Sequence, residues 1–438
     1  DYMTENFTVR AGFKAFGEER IGGQFSYNPS DDDTWNNGFG ININTRRYEG
    51  FTKVGGVFGR EGSMTAGWIQ NIAYHDQKSD FGTRSYDGIQ KTYYSNLLYQ
   101  WNPGLSRHNI DAGFSYKYDL YDEKLEALIL GRKESVPGVF AQYTYTDSAK
   151  MTFIAGIRTD FHNIYGTLVT PRVHLRYVIN PVLTLRASAG KGYRSGNILA
   201  ENSFLLASSR EMIIEDDPDI EEAWNTGISL SANIPMAGKT LRLSGEVYRT
   251  NFINQIIIDM DASTDEVRFY NLDGKSYSNV IQFEASSTLF EGFDLLAAWR
   301  WNDVKMTIDG LLREKPLTGR YKGLLTASWL THLRKWQFDY TFQLNGPGRV
   351  PSTLSNPEEY RWDETFDPYV IMNAQITRNF RKWNIYVGSE NLTGFMQHHP
   401  IIASDDPFGE FFDSGLIWGP VHGRKIYAGI RIFFNRDV

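Results

Sequence analysis

The chain has 438 residues, 45 Lys+Arg against 52 Asp+Glu for a formal net charge of −7, and no cysteine. The missing cysteine excludes a disulfide framework, a thiolate nucleophile and a Cys-ligated metal site, and the acidic balance is the wrong sign for a nucleic-acid surface. No stretch nears 18 consecutive apolar residues, so helices do not span a membrane, and the N-terminal DYMTENFTVRAGFKAF lacks the basic start and apolar run of a signal peptide.

Aromatic content of 15% with 40 glycines suits a large β-structure, with rings on pleated faces and glycine where strands bend or approach closely. In chain order, the polar stretch 29–42 carries Asp31 to Asp33, read as a solvated loop. Tyr93 and Tyr94 follow, then a Pro-Gly turn at 103–106 and a charged stretch at 120–134 that reads as a long excursion. Segment 151–161 sets Met151, Phe153, Ala155, Ile157 and Phe161 against Thr152, Gly156, Arg158 and Asp160. Segment 172–178 sets Val173, Leu175 and Tyr177 against Arg172, His174 and Arg176. Further short turns fall near 147–149, 180–182, 235–238, 289–292, 332–335 and 380–383, and further long polar excursions near 195–219, 348–366 and 396–422. From Trp336 to Leu344, Trp336, Phe338, Tyr340, Phe342 and Leu344 alternate with Gln337, Asp339, Thr341 and Gln343. Ile426, Ala428, Ile430, Ile432 and Phe434 repeat the pattern at the end.

Period two over ten residues, with Arg, Asp, Gln and His on the second face, predicts strands long enough to cross a bilayer at a tilt. Short turns at one end and long loops at the other predict an all-β fold, a transmembrane antiparallel β-barrel filling residues 1–438. At roughly 23 residues per strand and connection, about 19 strands are visible. Tyr93, Tyr94, Trp299, Trp301, Trp336, Trp383 and Tyr386 are the candidates for the interfacial aromatic belts. On the same pattern Phe338 and Ile430 face lipid, and Asp339 and Arg431 the lumen. A complete passive porin of about 18 strands also fits the length. A soluble propeller or adhesin would need repeats of 40–50 residues, which the sequence lacks.

Several phrases resemble the barrel of TonB-dependent outer-membrane receptors, especially those common in Bacteroidetes. They are HDQKSDFGTRSYDGIQ (75–90), KESVPGVFAQYTY (133–145), GIRTDFHNIYG (156–166), TPRVHLRY (170–177), LRASAGKGYRSGN (185–197), EEAWNTGISL (221–230), YRTNFINQIIID (248–259), YNLDGKSYSNVIQFE (270–284) and the closing block 386–434. The resemblance implies a 22-stranded barrel with a lumen-filling N-terminal plug. It further implies uptake of a scarce nutrient such as a siderophore, haem, cobalamin or another metal chelate, driven by the TonB–ExbB–ExbD complex, with a surface lipoprotein as an occasional partner. The strands align best with the last 19 of such a set, and no plug-like region or TonB-contacting motif is evident. The expectation is a barrel portion lacking the plug and first strands.

Candidate ligand-binding residues lie in two loops: Arg210, Glu215, Asp216 and Asp217 in one, and His398, His399, Asp405, Asp406, Phe408 and Phe411 in the other. Both are long on the side opposite the short turns, and the second mixes polar orienting groups with apolar surface. The carboxylates suit Ca²⁺ and the adjacent histidines a transition metal, with a solvated acidic loop as the alternative. Arg172, Arg176, Arg186 and Arg194 form a basic set on the lumen face that meets acidic plug groups, guides an anionic ligand, or pairs within the wall with Asp160 and Glu246. Catalysis has little support: no G-x-S-x-G or H-E-x-x-H occurs, and a triad along the strands, such as Ser188, His174 and Asp160, is expected by chance among inward polar residues.

Overall fold

The computed structural model describes residues 6–25, 39–60, 62–147, 150–215, 217–236 and 238–433, the first of these by backbone alone. Among the described residues eighteen strands pair antiparallel in chain order. They are β1 Asn6–Phe25, β2 Phe39–Phe58, β3 Met64–Phe81, β4 Arg84–Trp101, β5 His108–Leu125, β6 Leu128–Asp147, β7 Met151–His162, β8 Gly166–Val178 and β9 Leu183–Arg194. The wall continues through β10 Glu221–Met236, β11 Lys239–Asn254, β12 Ser276–Phe290, β13 Phe293–Ile308, β14 Tyr321–Leu330, β15 Trp336–Asn345, β16 Tyr369–Asn379, β17 Trp383–Glu390 and β18 Lys425–Ile432. Leu311–Glu314 folds back on β13 as a four-residue extra member of the sheet, so eighteen full strands among the described residues stand against the about 19 expected.

Connections at one end are brief: 59–63, 102–107, 148–150, 179–182, 237–238, 291–292, 331–335 and 380–382. At the other end they include 195–220, 255–275, 309–320, 346–368 and 391–424. One short turn depends on glycine. Gly292 has φ +80° and accepts the Leu330 amide at 2.7 Å, and a Cβ there would meet the Leu330 carbonyl oxygen at 2.0 Å.

The faces follow the alternation. Ile157, Phe161, Phe114, Val387 and Ile430 are exposed on the outward face, whereas Asp119, Glu134, Asp160 and His162 are buried on the inner one. Asp339 accepts from Ser328 at 2.7 Å and Gln337 at 3.0 Å, and the Arg431 guanidinium lies 5.8 Å from the Tyr386 ring.

Two expectations change. Residues 120–134 are not an excursion: β5 and β6 pair through them, from Tyr121 opposite Arg132 to Leu125 opposite Leu128. β2 to β6 run 18–20 residues, about twice a tilted span, so their far halves stand beyond the lipid where water permits polar side chains outside as well as inside. Lost alternation there marks the edge of the membrane rather than the end of the strand.

The belt also differs in part. Trp336 and Trp383 sit at the short-turn end, where Phe380 and Trp383 stack at 4.0 Å and Arg378 covers Trp336 at 4.8 Å. Tyr93 and Trp301 lie eight residues from that end, near the opposite edge of the apolar band. Tyr386 instead faces the lumen opposite Gly429.

Depth decides the cost of a charge on the outward face. Ile157 lies mid-band, six residues from Met151 at the short-turn end, whereas Ile430 is two residues from that end. Ile157→Arg is expected to destabilise the folded barrel by about 2–4 kcal/mol and Ile430→Arg by about 0–1 kcal/mol. Reversible denaturant unfolding in phospholipid bilayers measures both, and equal costs would contradict the assigned depth.

Candidate functional site: the cap over the long-loop end

In the wall the large apolar side chains point outward, so a water-excluded core must be built elsewhere. It sits among the long loops, where Leu199, Leu205 and Leu206 of 195–220, Met260, Val267 and Phe269 of 255–275, Val350 and Phe366 of 346–368, and Ile401, Ile402, Phe412 and Leu416 of 391–424 form one cluster. The same cluster includes Phe39, Phe81, Tyr86 and Leu125 from the far ends of β2 to β5. Loops rooted in the C-terminal strands thereby reach across to the N-terminal ones.

Backbone pairing stiffens this cap. Glu211–Ile214 runs parallel to Glu266–Asn271, which pairs antiparallel with Ile256–Asp259. Three consecutive isoleucines, Ile256 to Ile258, mark a strand covered on both faces rather than a wall strand. Asp413 bridges to both Ser208 and Ile402.

Arg210 holds the centre. It is 1% exposed, and its Nε donates to Asp413 at 2.8 Å while Nη1 donates to the carbonyls of Met260 (3.3 Å), Ser263 (2.8 Å) and Glu266 (3.1 Å). Its own carbonyl accepts from Arg84 of β4 at 2.8 Å. Arg349 acts likewise, donating to both Asp261 carboxylate oxygens at 2.8 and 2.7 Å and to the Glu314 carbonyl at 2.7 Å. Two arginines thus tie all five loops, and Arg210, expected to face a ligand, has its donors turned inward.

The other candidate residues divide. Asp405, Asp406 and Phe411 come together with Tyr360: the Phe411 and Tyr360 rings are 5.7 Å apart, and burial, then the charges of Asp405, Glu359 and Asp406, push the Tyr360 hydroxyl above its ordinary value. Phe408 is half exposed, with its ring 5.8 Å from Phe39. Tyr360 escapes sequence reasoning because only the meeting of two distant loops gives it a role. Glu215 pairs with Arg268 at 3.4 Å, Asp217, His398 and His399 are exposed, and Asp216 and Asp31 to Asp33 lie outside the described residues. Among the described residues no three His, Asp or Glu side chains gather as a metal site.

In the lumen Arg172 donates to Gln142 at 2.7 Å, which in turn donates to Asp111 at 3.0 Å. Arg176 and Arg186 stand directly opposite each other, and Arg186 donates to Ser231 at 3.1 Å. The pairing partners differ from those expected, because Asp160 is taken by Arg158 at 2.6 Å. Arg194 is ion-paired with Glu221 and with Glu201, the latter at 2.6 Å. His174 and Ser188 are cross-strand neighbours, but His174 is opposite Ile154, and Asp160 lies six residues further along β7, roughly 20 Å away. No relay is assembled.

An antiparallel wall with an apolar exterior, a polar interior, short turns at one end and a loop-built cap at the other defines a capped barrel of the outer-membrane type. Residues 2–392 match the family described as TonB dependent receptor-like, beta-barrel. The chain belongs to that family, and the membrane it crosses is the outer membrane, with the cap outside. Among solved structures it is similar to the FrpB iron transporter from Neisseria meningitidis (TM-score 0.64, 11% identity, covering 98% of this chain and 71% of that one). It is also similar to the siderophore receptor PirA from Pseudomonas aeruginosa (0.61, 12%, 97% and 73%) and to the copper transporter OprC (0.58, 12%, 97% and 80%). At such identities the likeness is one of fold. None of the curated proteins matches the sequence.

Removing the central guanidinium strands a buried carboxylate and three carbonyls. Arg210→Met is expected to cost the cap about 3–5 kcal/mol. It should expose loops 195–220 and 391–424 to protease while the barrel still shifts on SDS gels when boiled, and loops that stay resistant would contradict this role for Arg210.

Proposed function

We propose that this protein is an active-transport receptor that captures a scarce nutrient, a siderophore, haem, cobalamin or another metal chelate, at its outer cap and imports it with TonB-derived energy. Family membership supports energised import, and the similar structures include proteins described as siderophore receptors and as iron and copper transporters. The observation that carries the reading is the cap itself. A passive porin of about 18 strands has no need for four loops packed around a shared core that reaches from β2 to the loop before β18.

The capture face we assign is Asp405, Asp406, Phe408 and Phe411 with Tyr360, joined at the periphery by Glu215, Asp217, His398 and His399. Aromatic rings offer flat apolar contact and the carboxylates orient, a combination suited to a large ligand with polar edges. Inside, Arg172, Arg176 and Arg186 have no carboxylate within ion-pair distance among the described residues, which suits them to acidic groups of whatever fills the lumen or to an anionic cargo passing it. Such receptors are worked by the TonB complex through the lumen-filling domain, and the ligand leaves chemically unchanged.

Growth of a deletion strain on single iron, cobalamin or glycan sources identifies the cargo. With that cargo, the double variant Asp405→Ala/Phe408→Ala is expected to raise Kd about tenfold or more, some 1.4 kcal/mol, with heat-modifiable migration intact. Unchanged affinity in the folded variant would remove the cap from ligand capture.

A further inference from the structure

The outward face of the wall carries a feature that import does not use. Across β10 to β15 the register sets Leu230, Gly245, Phe283, Trp299, Gly323 and Leu344 side by side. The Phe283 ring leans over Gly245, where a Cβ would come within 3.2 Å of it, and the Trp299 ring leans the opposite way over Gly323, where the distance would be 3.0 Å. Below the parted rings lie only Ala285 and Ala297, directly opposite each other. What remains is a furrow of about 1170 Å³ lined almost wholly by carbon. A second depression of about 430 Å³ adjoins it across Ile228 and Val247, and Arg249 stands in its wall.

Toward the cap the chemistry changes within one step of the ladder. Thr226, Arg249, Asn279 and Asp303 lie abreast there. The carboxylate of this row and the one four residues nearer the cap have lysine partners, Asp303 with Lys305 at 3.4 Å and Glu222 with Lys191 at 2.9 Å. Arg249 donates to neutral Asn251 at 2.9 Å and Asn279 at 3.0 Å and lies 4.9 Å from the Tyr277 ring. Among the described residues it has no carboxylate within ion-pair distance, so it is the uncompensated charge of the row. It stands ten residues from Lys239 at the short-turn end, the depth at which the outer leaflet's hydrocarbon gives way to headgroups.

We propose that this face binds one phosphorylated, multiply acylated glycolipid of the outer leaflet, with acyl chains in the furrow and a phosphate on Arg249. An unfilled furrow forfeits dispersion contacts that a chain restores. A guanidinium at headgroup depth selects a phosphate by charge-assisted, bidentate hydrogen bonding. The position of the cation fixes the leaflet, since a lipid of the inner leaflet brings its headgroup to the other end of the furrow. A second copy of the chain is the poorer occupant, because its apolar wall would cover Arg249 without a counter-charge.

The test uses the full-length receptor in nanodiscs of phosphatidylcholine doped with a bis-phosphorylated, hexaacylated glucosamine disaccharide, and reads retained lipid by native mass spectrometry. One molecule per barrel is expected. Arg249→Gln and Ala297→Phe should each lower occupancy about tenfold, the scale of a charge-assisted contact. The dephosphorylated lipid should bind wild type as weakly as the phosphorylated one binds Arg249→Gln, and Arg300→Gln, on the inner face, should change nothing. Ala285→Val is a milder filling variant if Ala297→Phe fails to insert. Equal retention of the phosphate-free lipid, an equal loss with Arg300→Gln, no retained glycolipid, or a dimer joined through this face would each overturn the proposal.

Discussion

In hydrocarbon no backbone N–H or C=O finds water, so every polar group of a spanning strand must be answered by its neighbour, and the side chains facing out must be apolar. That constraint sends the outward isoleucines, valines and phenylalanines of β7, β12 and β17 to lipid and leaves the interior to polar groups such as Asp160 with Arg158. A barrel wall built this way has no interior oil drop. Its apolar core has to form where the chain leaves the membrane, and here that is the cap.

Placing a core among loops creates a second requirement, because irregular backbone carries carbonyls that β-pairing does not use. Arg210 meets it. One guanidinium answers three carbonyls of the 255–275 loop and one carboxylate of the 391–424 loop, and its own backbone is tied to β4 through Arg84. Arg349 does the same for the neighbouring pair of loops. The proposed capture face with Tyr360, Asp405 and Phe411 rests on these two residues, which hold its loops together.

The wall was legible because its signal is local. Trp336 to Leu344 shows period two within nine residues, and the turns at 289–292 and 380–383 lie between strands as expected. The stretch 120–134 misled because alternation reports lipid on one face, and above the membrane both faces meet water or the cap while the pairing of Tyr121 with Arg132 continues. Loop 255–275 was missed because Ile256 to Ile258 and Val267 to Phe269 do form strands, only in the cap. Arg210 sits near Glu211, Glu215 and Asp217 in a polar loop and so reads as facing a ligand, yet its partner Asp413 is 203 residues away. Nothing within a short window announces such a pair, and Tyr360 was concealed likewise because its partner Phe411 lies in another loop.

The central claim is that the outer loops form a folded, core-bearing cap rather than independent excursions. Amide hydrogen exchange on the full-length receptor tests it directly, since local opening free energies separate packed segments from free loops. The account predicts that amides of Leu205, Val267 and Ile402 exchange as slowly as those of wall strands such as β7, and that Arg210→Met accelerates them while β7 stays protected. Exchange of these cap amides in the unmodified receptor at the rate of an unstructured loop would contradict it.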